Sequence, residues 1–387
     1  MNILHVVPSY IPAWRYGGPI HSVHGLCKAL AARGHHVQVA TTNVDGEGDT
    51  NVPLDSPVDL DGVEVRYFPC KRLRRLYYSP PLHRFIASQV PRMNLIHAHS
   101  VYLWPTTVAA HLARKAKKPY VLSPRGMLVP NLIARRSRHL KQAWLAIFEK
   151  RNVENAAAIH VTSRLEGEDL LATGLRPRKM FEIPNGLDLP EHDGAKPGQL
   201  LPGLPETYVL FLGRISWKKG LDRLVSALPT SPALNLVVAG NDDENYWPTV
   251  LKIASERGVA GCIHYVGYVE GETKRALLSN AMMLVLPSYS ENFGNVVLEA
   301  MSLGTPVVVT PDVGLSSVVA ETRSGIVVSG DAAPLGRALA DLASNTQLRS
   351  DLGRNARSAA RLFGWDAIAQ RFEEQYQLLV STNPPSS

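Results

Sequence analysis

Residues 283–310 have the sequence MLVLPSYSENFGNVVLEAMSLGTPVVVT, and this segment is the best starting point for the fold. A short apolar run, MLVLP, leads into a polar loop, then a helical stretch that begins near Asn295, and then a second apolar run, PVVVT. Short β-branched runs separated by a helix are typical of a parallel strand–helix–strand unit. The segment therefore predicts an α/β fold.

The same alternation continues along the chain in both directions. The predicted strands are ILHVV, HVQVAT, VEVRYF, LIHAH, YVLS, AIHVTS and MFEIP in the first half, and YVLFLG, LNLVVAG, IHYVGY, MLVLPS and PVVVTP in the second. A helix is predicted over 18–33, and the last helices over about 331–381. The chain has 387 residues, which suits two domains. We predict two doubly wound, Rossmann-like domains, 1–186 and 206–363, joined by a Pro- and Gly-rich linker, 187–205. Their strand ends would line a cleft, where ligands of such sheets bind.

Composition indicates a globular protein of a reducing compartment. The chain is 45% hydrophobic and 19% charged, and it contains no apolar run of about 20 residues that could cross a membrane. The N-terminal MNILHVVPSY is typical of a first strand rather than of a signal peptide. The three cysteines are scattered, which fits the cytoplasm and neither a disulfide framework nor a metal cluster.

Basic charge is concentrated in the first half of the chain. Residues 1–190 contain 25 Lys and Arg against 14 Asp and Glu, whereas residues 191–387 contain 16 against 20. This asymmetry predicts an anionic partner for the first half, such as a membrane surface or a phosphorylated acceptor. Nucleic acid is disfavoured as a partner because no nucleic-acid-binding signature accompanies the charge.

A basic helix is predicted within 135–151. Its apolar residues recur at helical spacing, at Leu140, Trp144, Ile147 and Phe148. Such a helix can lie on an anionic membrane, and it can equally pack against a core.

The loop and helix of the opening segment carry the strongest chemical signal. Gly294 lets the backbone approach a ligand, and the amides from Phe293 and Asn295 onward suit a phosphate at a helix start. Glu299, one turn into the helix, can accept hydrogen bonds from two vicinal hydroxyls such as those of ribose. Glu291 can reach the hydroxyls of a sugar beyond the phosphates. A capped helix with two surface glutamates is the alternative.

Two cations follow the strand YVLFLG. Arg214 and Lys219 lie between that strand and the next helix. Positive charge at a helix start opposes the helix dipole, so two cations there need a local reason, such as an anionic ligand. Two cations at this point can neutralise a diphosphate and stabilise it as a leaving group. The alternative is a pair of solvated basic residues.

In the first half, the loop after the first strand contains Gly17 and Gly18. These glycines can bring backbone amides to a phosphate or a sugar. The Gly-x-Gly-x-x-Gly fingerprint of dinucleotide-binding enzymes is absent there, so an NAD enzyme is disfavoured.

Polar residues also end two strands of the first half. His97 and His99 alternate onto one face of their strand, and Arg125 ends the strand YVLS. Two histidines can be metal ligands, but the sequence supplies no further cluster, and one of the pair can equally be structural. Asp242-Asp243 is better explained as part of a surface loop than as a metal site.

These motifs resemble the family-4 retaining glycosyltransferases, whose GT-B architecture consists of two facing Rossmann-like domains. The resemblance covers nearly the whole chain and is strongest at Gly213-Arg214…Lys219-Gly220 and at Glu291…Phe293-Gly294…Glu299-Ala300…Gly304-Thr305-Pro306. It implies that Arg214 and Lys219 bind the donor diphosphate, Glu291 contacts the transferred sugar and Glu299 holds the ribose. It also implies that Gly18 contacts a donor phosphate or the acceptor, and that the reaction requires no metal cofactor.

The resemblance has further consequences. The last helix of this family crosses back to the first domain, which would add residues from about 364 to 381 to that domain. Backbone near Gly267, Tyr268 and Val269 is expected to contact the donor base. Many members have a histidine where this chain has Arg125, and arginine cannot act as a general base because it stays protonated.

The sequence thus predicts a retaining hexosyltransferase with a nucleotide-sugar donor, and UDP-hexose is the favoured donor. Glu291, Arg125 and His99 are the catalytic candidates. The acceptor is expected to be a saccharide or lipid-linked saccharide in cell-surface glycan synthesis, on the cytoplasmic side of a membrane. A nucleotide-sugar epimerase of the same fold and a non-enzymatic nucleotide-sugar-binding protein are the alternatives.

Overall fold

The computed structural model describes residues 1–13, 17–130, 142–190, 201–231 and 233–382. These residues form two compact units, one of Met1–Gly186 with Trp365–Ser387 and one of Leu187–Gly364. Some of the features predicted above lie partly outside the described residues: the loop at 14–16, the basic stretch at 131–141, the linker at 191–200 and the tail at 383–387.

An eight-stranded sheet forms the centre of the first unit. Its strands are β1 (Asn2–Ser9), β2 (His36–Thr42), β5 (Pro57–Leu60), β6 (Val63–Phe68), β7 (Leu95–His99), β8 (Tyr120–Ser123), β9 (Ala158–Val161) and β10 (Met180–Glu182), and a separate hairpin contains β3 (Val44–Asp45) and β4 (Gly48–Asp49). The order is β10-β9-β8-β7-β1-β2-β6-β5, and every pair is parallel except β5 with β6. The sequence missed β5 and the hairpin, because their polar or very short stretches show no apolar run.

Helices cover both faces of this sheet. They are α1 (Gly18–Ala32), α2 (Pro80–Gln89), α3 (Trp104–Lys115), α4 (Lys150–Glu154), α5 (Arg164–Ala172) and, from the end of the chain, α13 (Trp365–Ser381). Side chains of α1 and α13 pack in one core layer, and side chains of α2 and α3 pack in the other. A π-helical turn, Leu145–Glu149, precedes α4 where the sequence predicts a regular helix.

The second unit contains a six-stranded parallel sheet. Its strands are β11 (Val209–Leu212), β12 (Leu236–Ala239), β13 (Ile263–Gly267), β14 (Met283–Leu286), β15 (Val307–Val309) and β16 (Gly325–Val327), in the order β13-β12-β11-β14-β15-β16. Every residue of β11, β12, β14 and β15 is buried, as expected for the continuous apolar runs of a sheet covered on both faces. Only β16 escaped the sequence analysis, since three residues are too few for a pattern.

Helices connect these strands. They are α6 (Leu221–Ala227), α7 (Trp247–Glu256), α8 (Gly271–Asn280), α9 (Asn295–Ser302), α10 (Ser316–Glu321), α11 (Ala332–Ser344) and α12 (Thr346–Ala360). The predicted α/β class with two doubly wound sheets is therefore confirmed. A search of the described residues finds no helix with the length and apolarity needed to span a bilayer.

Candidate functional sites of the two units

The second unit has its topological switch point between β11 and β14. These strands are neighbours, and the chain continues from β11 toward β12 on one side and from β14 toward β15 on the other. Open α/β sheets bind ligands outside the carboxyl ends of the strands at such a point. The loops there are the two segments singled out from the sequence, Gly213–Gly220 and Pro287–Gly294.

Direct contacts hold these two loops together. The backbone N–H of Tyr289 donates to the carbonyl of Lys218 at 2.7 Å. The Arg223 guanidinium lies 3.5 Å from the centre of the Tyr289 ring, and the Tyr289 hydroxyl donates to Asp222 at 2.9 Å. The two segments predicted to bind the donor therefore lie side by side.

Gly220 permits the close approach of the two backbones. Its φ is +70°, and a Cβ at this position would lie 2.0 Å from the carbonyl oxygen of Pro287. Only glycine combines that conformation with that space. The glycine follows directly on Lys219 and so sets the position of its side chain beside the β14 loop.

Lys219 and Glu291 form an ion pair. Their side chains are mostly shielded from solvent, at 20% and 17% exposure. Arg214 is exposed, and no ion pair of the described residues includes it. Lys219, which is expected to bind the diphosphate, is thus paired in this structure with Glu291, which is expected to contact the sugar.

The loop from Glu291 to Phe293 is fixed by a neighbouring turn. The Glu291 N–H donates to the Asp312 carbonyl at 2.9 Å, and the Leu315 N–H donates to the Phe293 carbonyl at 3.0 Å. The Phe293 side chain is 3% exposed and packs in the core of this unit. Phe293 can therefore contribute only backbone to a donor, and its ring anchors the loop.

Helix α9 begins just after this loop. Gly294 has a φ of +96° and precedes Asn295, the first helical residue. Among the described residues no side chain caps this helix start, and its first turn contains no acidic residue. Such an N-terminus suits an anion, because amides and helix dipole both favour negative charge there.

Glu299 has a partner that the sequence did not reveal. The ammonium of Lys274 on α8 pairs with its carboxylate, and each side chain is about one-third exposed. Beside the pair is a cavity of about 350 Å³, lined also by Gly271, Leu278 and Ser302. No sequence spacing could have indicated this pair, because it arises from the packing of α8 on α9.

The segment after β13 is partly exposed. The Tyr268 side chain is 55% exposed, and its hydroxyl donates to Glu270 at 2.9 Å. Val269 packs against the core. Contact of this backbone with a donor base stays a prediction. Asp242 accepts from the N–H groups of Tyr246 and Trp247 at 2.7 and 3.0 Å, so its carboxylate is engaged at the start of α7.

The switch point of the first unit lies between β1 and β7, which places three histidines side by side. His5 pairs in register with His97, and His99 follows two residues later on the same face. All three are buried. One ring nitrogen from each lies within 4.8 Å of the others, so His5 is a third candidate metal ligand that the sequence analysis overlooked.

Hydrogen bonds fix the tautomers of His5 and His99. Arg125 Nη2 donates to His99 Nδ1 at 3.1 Å, so the proton of neutral His99 is on Nε2, which donates to His5 Nδ1 at 2.9 Å. His5 then carries its proton on Nε2, a buried atom without a partner among the described residues. Burial, with Arg125 adding to it, lowers the pKa of His5 to about 3, and burial likewise holds the pKa of His99 well below 6.5.

A second chain of hydrogen bonds starts from the backbone carbonyl of Ile183. His160 Nε2 donates to this carbonyl at 2.8 Å, so Ser123 Oγ donates to His160 Nδ1 at 2.7 Å. Ser123 Oγ accepts in turn from His97 Nε2 at 2.6 Å, and the Tyr376 hydroxyl donates to His97 Nδ1 at 2.6 Å. The four histidines in these two series of hydrogen bonds are all neutral, since burial lowers the pKa of each.

This arrangement fits a hydrogen-bonded core better than a metal centre. Both ring nitrogens of His97 and of His99 are engaged with protein groups, and a guanidinium contacts His99 directly. A cation there would be repelled by Arg125 and would break several bonds at once. His99 is buried and both of its ring nitrogens are used, so the catalytic role expected of it stays a prediction, and its contact nearest the strand ends is with Arg125.

Arg125 itself lies just past the carboxyl end of β8. Its φ is +56°, a conformation that is strained for arginine. Nη1 donates to Asn185 Oδ1 at 3.0 Å, whereas Nε is buried without a partner among the described residues. Burial lowers the pKa of Arg125, yet the group stays charged at neutral pH.

The loop with Gly17 and Gly18 opens α1. Gly17 has a φ of +64° and precedes the helix, which begins at Gly18. Ser22 Oγ donates to the Gly18 carbonyl at 2.9 Å. Trp14–Tyr16 lie outside the described residues, and the contact of the two glycines with donor or acceptor stays a prediction.

Two doubly wound units, one with glycine loops, cations and carboxylates at its switch point, match the arrangement that the resemblance to GT-B glycosyltransferases implies. Comparison with known proteins agrees. The model "Glycosyl transferases group 1" matches residues 195–359, and the "Glycosyl transferase 4-like domain" matches residues 17–186. A D-inositol 3-phosphate glycosyltransferase of Paenarthrobacter aurescens is 29% identical over 98% of this chain and 97% of its own length.

Solved structures show the same fold. A sucrose-phosphate synthase from Thermosynechococcus elongatus superposes with a TM-score of 0.79 at 24% identity, over 98% of this chain and 99% of its own. The Anabaena protein HepE, solved with UDP and glucose, gives 0.73 at 20% identity over 98% and 100%. The chain belongs to the family-4 glycosyltransferases and has the GT-B fold.

Proposed function

We propose that this glycosyltransferase moves a hexose from a UDP-sugar to a saccharide or lipid-linked saccharide acceptor, with retention of anomeric configuration. The observation that carries the proposal is the site at the β11–β14 switch point. It combines an exposed Arg214, the Lys219–Glu291 pair and the Lys274–Glu299 pair around the start of α9.

Each part of the site suits one part of such a donor. The two cations and the amides at the start of α9 match a diphosphate. The Glu299 carboxylate matches the vicinal hydroxyls of a ribose, and Glu291 matches the hydroxyls of the transferred sugar. In this scheme the diphosphate takes over Lys219 from Glu291, which frees the carboxylate for the sugar.

The proposed reaction follows from these positions. The acceptor hydroxyl forms a bond to the anomeric carbon on the face from which the diphosphate departs, and the bond to the diphosphate oxygen breaks. The acceptor proton passes to the departing diphosphate. Arg214 and Lys219 stabilise the charge that develops there, so the proposal includes no metal ion and no cofactor.

The acceptor is proposed to bind the first unit, in a role in cell-surface glycan synthesis at the cytoplasmic face of a membrane. Ile147 and Phe148 are 63% and 39% exposed and are followed by Lys150 and Arg151. Exposed apolar residues beside basic ones favour an anionic bilayer. Flotation with anionic and with neutral vesicles tests this; equal recovery with both would count against it.

Donor binding is tested first with a panel of nucleotide sugars and free nucleotides, with thermal shift and calorimetry as readouts. Lys219→Met is expected to weaken UDP binding about tenfold or more, because a charge-assisted hydrogen bond is lost. Lys218→Met, its neighbour, is the matched control and should bind UDP nearly as the wild type does.

Glu291→Gln separates the roles of that carboxylate. UDP contains no sugar, so the variant should bind UDP equally well or a few-fold tighter, since the carboxylate no longer competes for Lys219. Turnover of the UDP-sugar should fall by about 100-fold or more. Weaker UDP binding together with unchanged turnover would sink the assignment.

Product analysis separates the proposal from its alternatives. A new glycoside with the donor's anomeric configuration, formed in the presence of a chelator, supports it. A changed nucleotide sugar without added acceptor would indicate an epimerase, and donor binding without turnover of any acceptor would indicate a binding protein.

A further inference from the structure

Arg125 is a cation that forms no ion pair with any carboxylate among the described residues of the first unit. Burial lowers the pKa of Arg125 and the negative charge of Glu166 opposes this shift, but both oxygens of Glu166 accept hydrogen bonds from other groups. They accept from the Gly126 N–H at 2.7 Å and from the Thr162 N–H and hydroxyl at 2.7 and 2.9 Å. Among the described residues the guanidinium therefore meets only neutral acceptors.

Each of these neutral acceptors already takes a hydrogen bond from a terminal nitrogen of the guanidinium. Asn185 Oδ1 accepts from Nη1, and His99 Nδ1 accepts from Nη2. His99 in turn donates to His5, so the relay is directed away from Arg125 and neither imidazole can supply negative charge. Nε–H remains as a buried donor without a partner.

A buried donor without a partner, on a cation without a direct ion pair, is destabilising unless a ligand accepts its hydrogen bond. The strained φ of +56° is a second cost that the surrounding fold has to offset. Nε–H and the adjacent Nη form the edge of a guanidinium that binds phosphate or carboxylate through two parallel hydrogen bonds. Asn185 and His99 hold that fork in orientation.

We propose that Arg125 binds an oxyanion on the acceptor, so that the acceptor carries a phosphate or carboxylate group. The inference rests on the proposed function, in which the first unit binds the acceptor. Asn185 and His99 are positioning residues for this contact.

Binding is tested on the wild-type protein with inorganic phosphate as the probe. The ¹⁵N–¹H signal of the Arg125 side-chain Nε–H is assigned by its absence in Arg125→Lys. We expect this signal to shift saturably with phosphate both without UDP and with saturating UDP, which fills the diphosphate site of the second unit. A signal that phosphate never moves would overturn the inference.

The UDP arm identifies the source of the oxyanion. If UDP alone shifts the signal and then blocks the effect of phosphate, Arg125 binds the donor diphosphate and the inference is wrong. Arg214→Gln is the matched control. It should weaken UDP binding and leave the phosphate response of Arg125 as it is in the wild type.

Turnover supplies an independent readout with paired acceptors: hexoses, their 6-phosphates and the corresponding hexuronates. We expect the wild type to prefer a charged member of a pair, and Arg125→Gln to lose that preference by about 10- to 100-fold in kcat/KM, mainly through acceptor KM. Equal or better use of the neutral hexose by the wild type would overturn the inference. Absence of turnover with every acceptor would count against the proposed function, while the phosphate titration would still decide on Arg125.

Discussion

Lysine partners distinguish Glu291 and Glu299, the two glutamates that are proposed to bind the donor. Glu291 pairs with Lys219, which is proposed to bind the donor diphosphate. Glu299 pairs with Lys274, a residue of another helix. The Lys274 pair is about one-third exposed, so it contributes little to folding. Its expected effect is to hold the Glu299 carboxylate in place for a ribose.

Lys274→Met tests this role at the residue scale. UDP binding should weaken about three- to tenfold, equivalent to roughly 1 kcal/mol, while the free energy of unfolding changes by less than about 1 kcal/mol. Lys252→Met is the matched control, because Lys252 forms a surface pair with Glu256 in the same unit. Calorimetric titration with UDP is the measurement, and equal affinities of the two variants would refute the role.

At the scale of elements, close backbone approaches and buried polar contacts hold the strands and loops of each site. In the second unit, the loop after β11 contacts the loop after β14 at Gly220. In the first unit, a series of hydrogen bonds links α13, β7, β8 and β9 through Tyr376, His97, Ser123 and His160. Each feature yields a prediction.

Gly220→Ala is expected to disrupt the proposed donor site. Strain at positive φ costs about 1–2 kcal/mol, and the clash with Pro287 adds to it. Gly258→Ala is the matched control, because Gly258 has a φ of +69° with nothing within 4 Å of its Cβ position. Urea unfolding and UDP binding should both be impaired more by Gly220→Ala. Similar losses in the two variants would contradict the close approach.

The neutral histidines predict acid sensitivity of the first unit. Burial lowers the pKa of His5 and His160 from 6.5 to about 3. Between these values the unfolded chain binds protons that the folded chain does not, so stability falls as pH falls below 6.5 and is insensitive to these groups above it. The slope is about 1.4 kcal/mol per pH unit for each histidine.

Hydrogen exchange at about pH 7.5 and about pH 5.5 measures this effect, with intrinsic rates corrected. Amides of β7 and β8 should lose protection at the lower pH relative to those of β12 and β14, which serve as the internal control. An unchanged ratio would contradict the neutral state of the histidines.

At the scale of the whole molecule, the chain leaves the first unit after Gly186 and returns to it at Trp365. The Trp365 ring packs against both Gly25 and Gly186, where a Cβ would lie 2.2 and 2.4 Å from ring atoms. Helix α13 then buries five side chains in the first unit: Ile368, Ala369, Phe372, Tyr376 and Leu379. The first unit is therefore completed by the last helix of the chain.

Truncation after Gly364 should unfold the first unit and leave the second protected. The lost burial is on the order of 10 kcal/mol, which is comparable with the whole stability of a domain. Truncation after Thr382 removes none of the five side chains and is the control. Exchange or limited proteolysis reports on each unit separately, and equal protection of the first unit in both truncations would refute the prediction.

The sequence by itself determined the strands with continuous apolar runs and the glycine-marked loops that follow β11 and β14, because both are local patterns. It also placed Arg214, Lys219, Glu291 and Glu299 at strand ends and helix starts. Tertiary structure alone decided which groups meet: Lys274 with Glu299, and Arg125 with His99 and Asn185. These partners are far apart in sequence, and no local period records a contact that strand order and helix packing create.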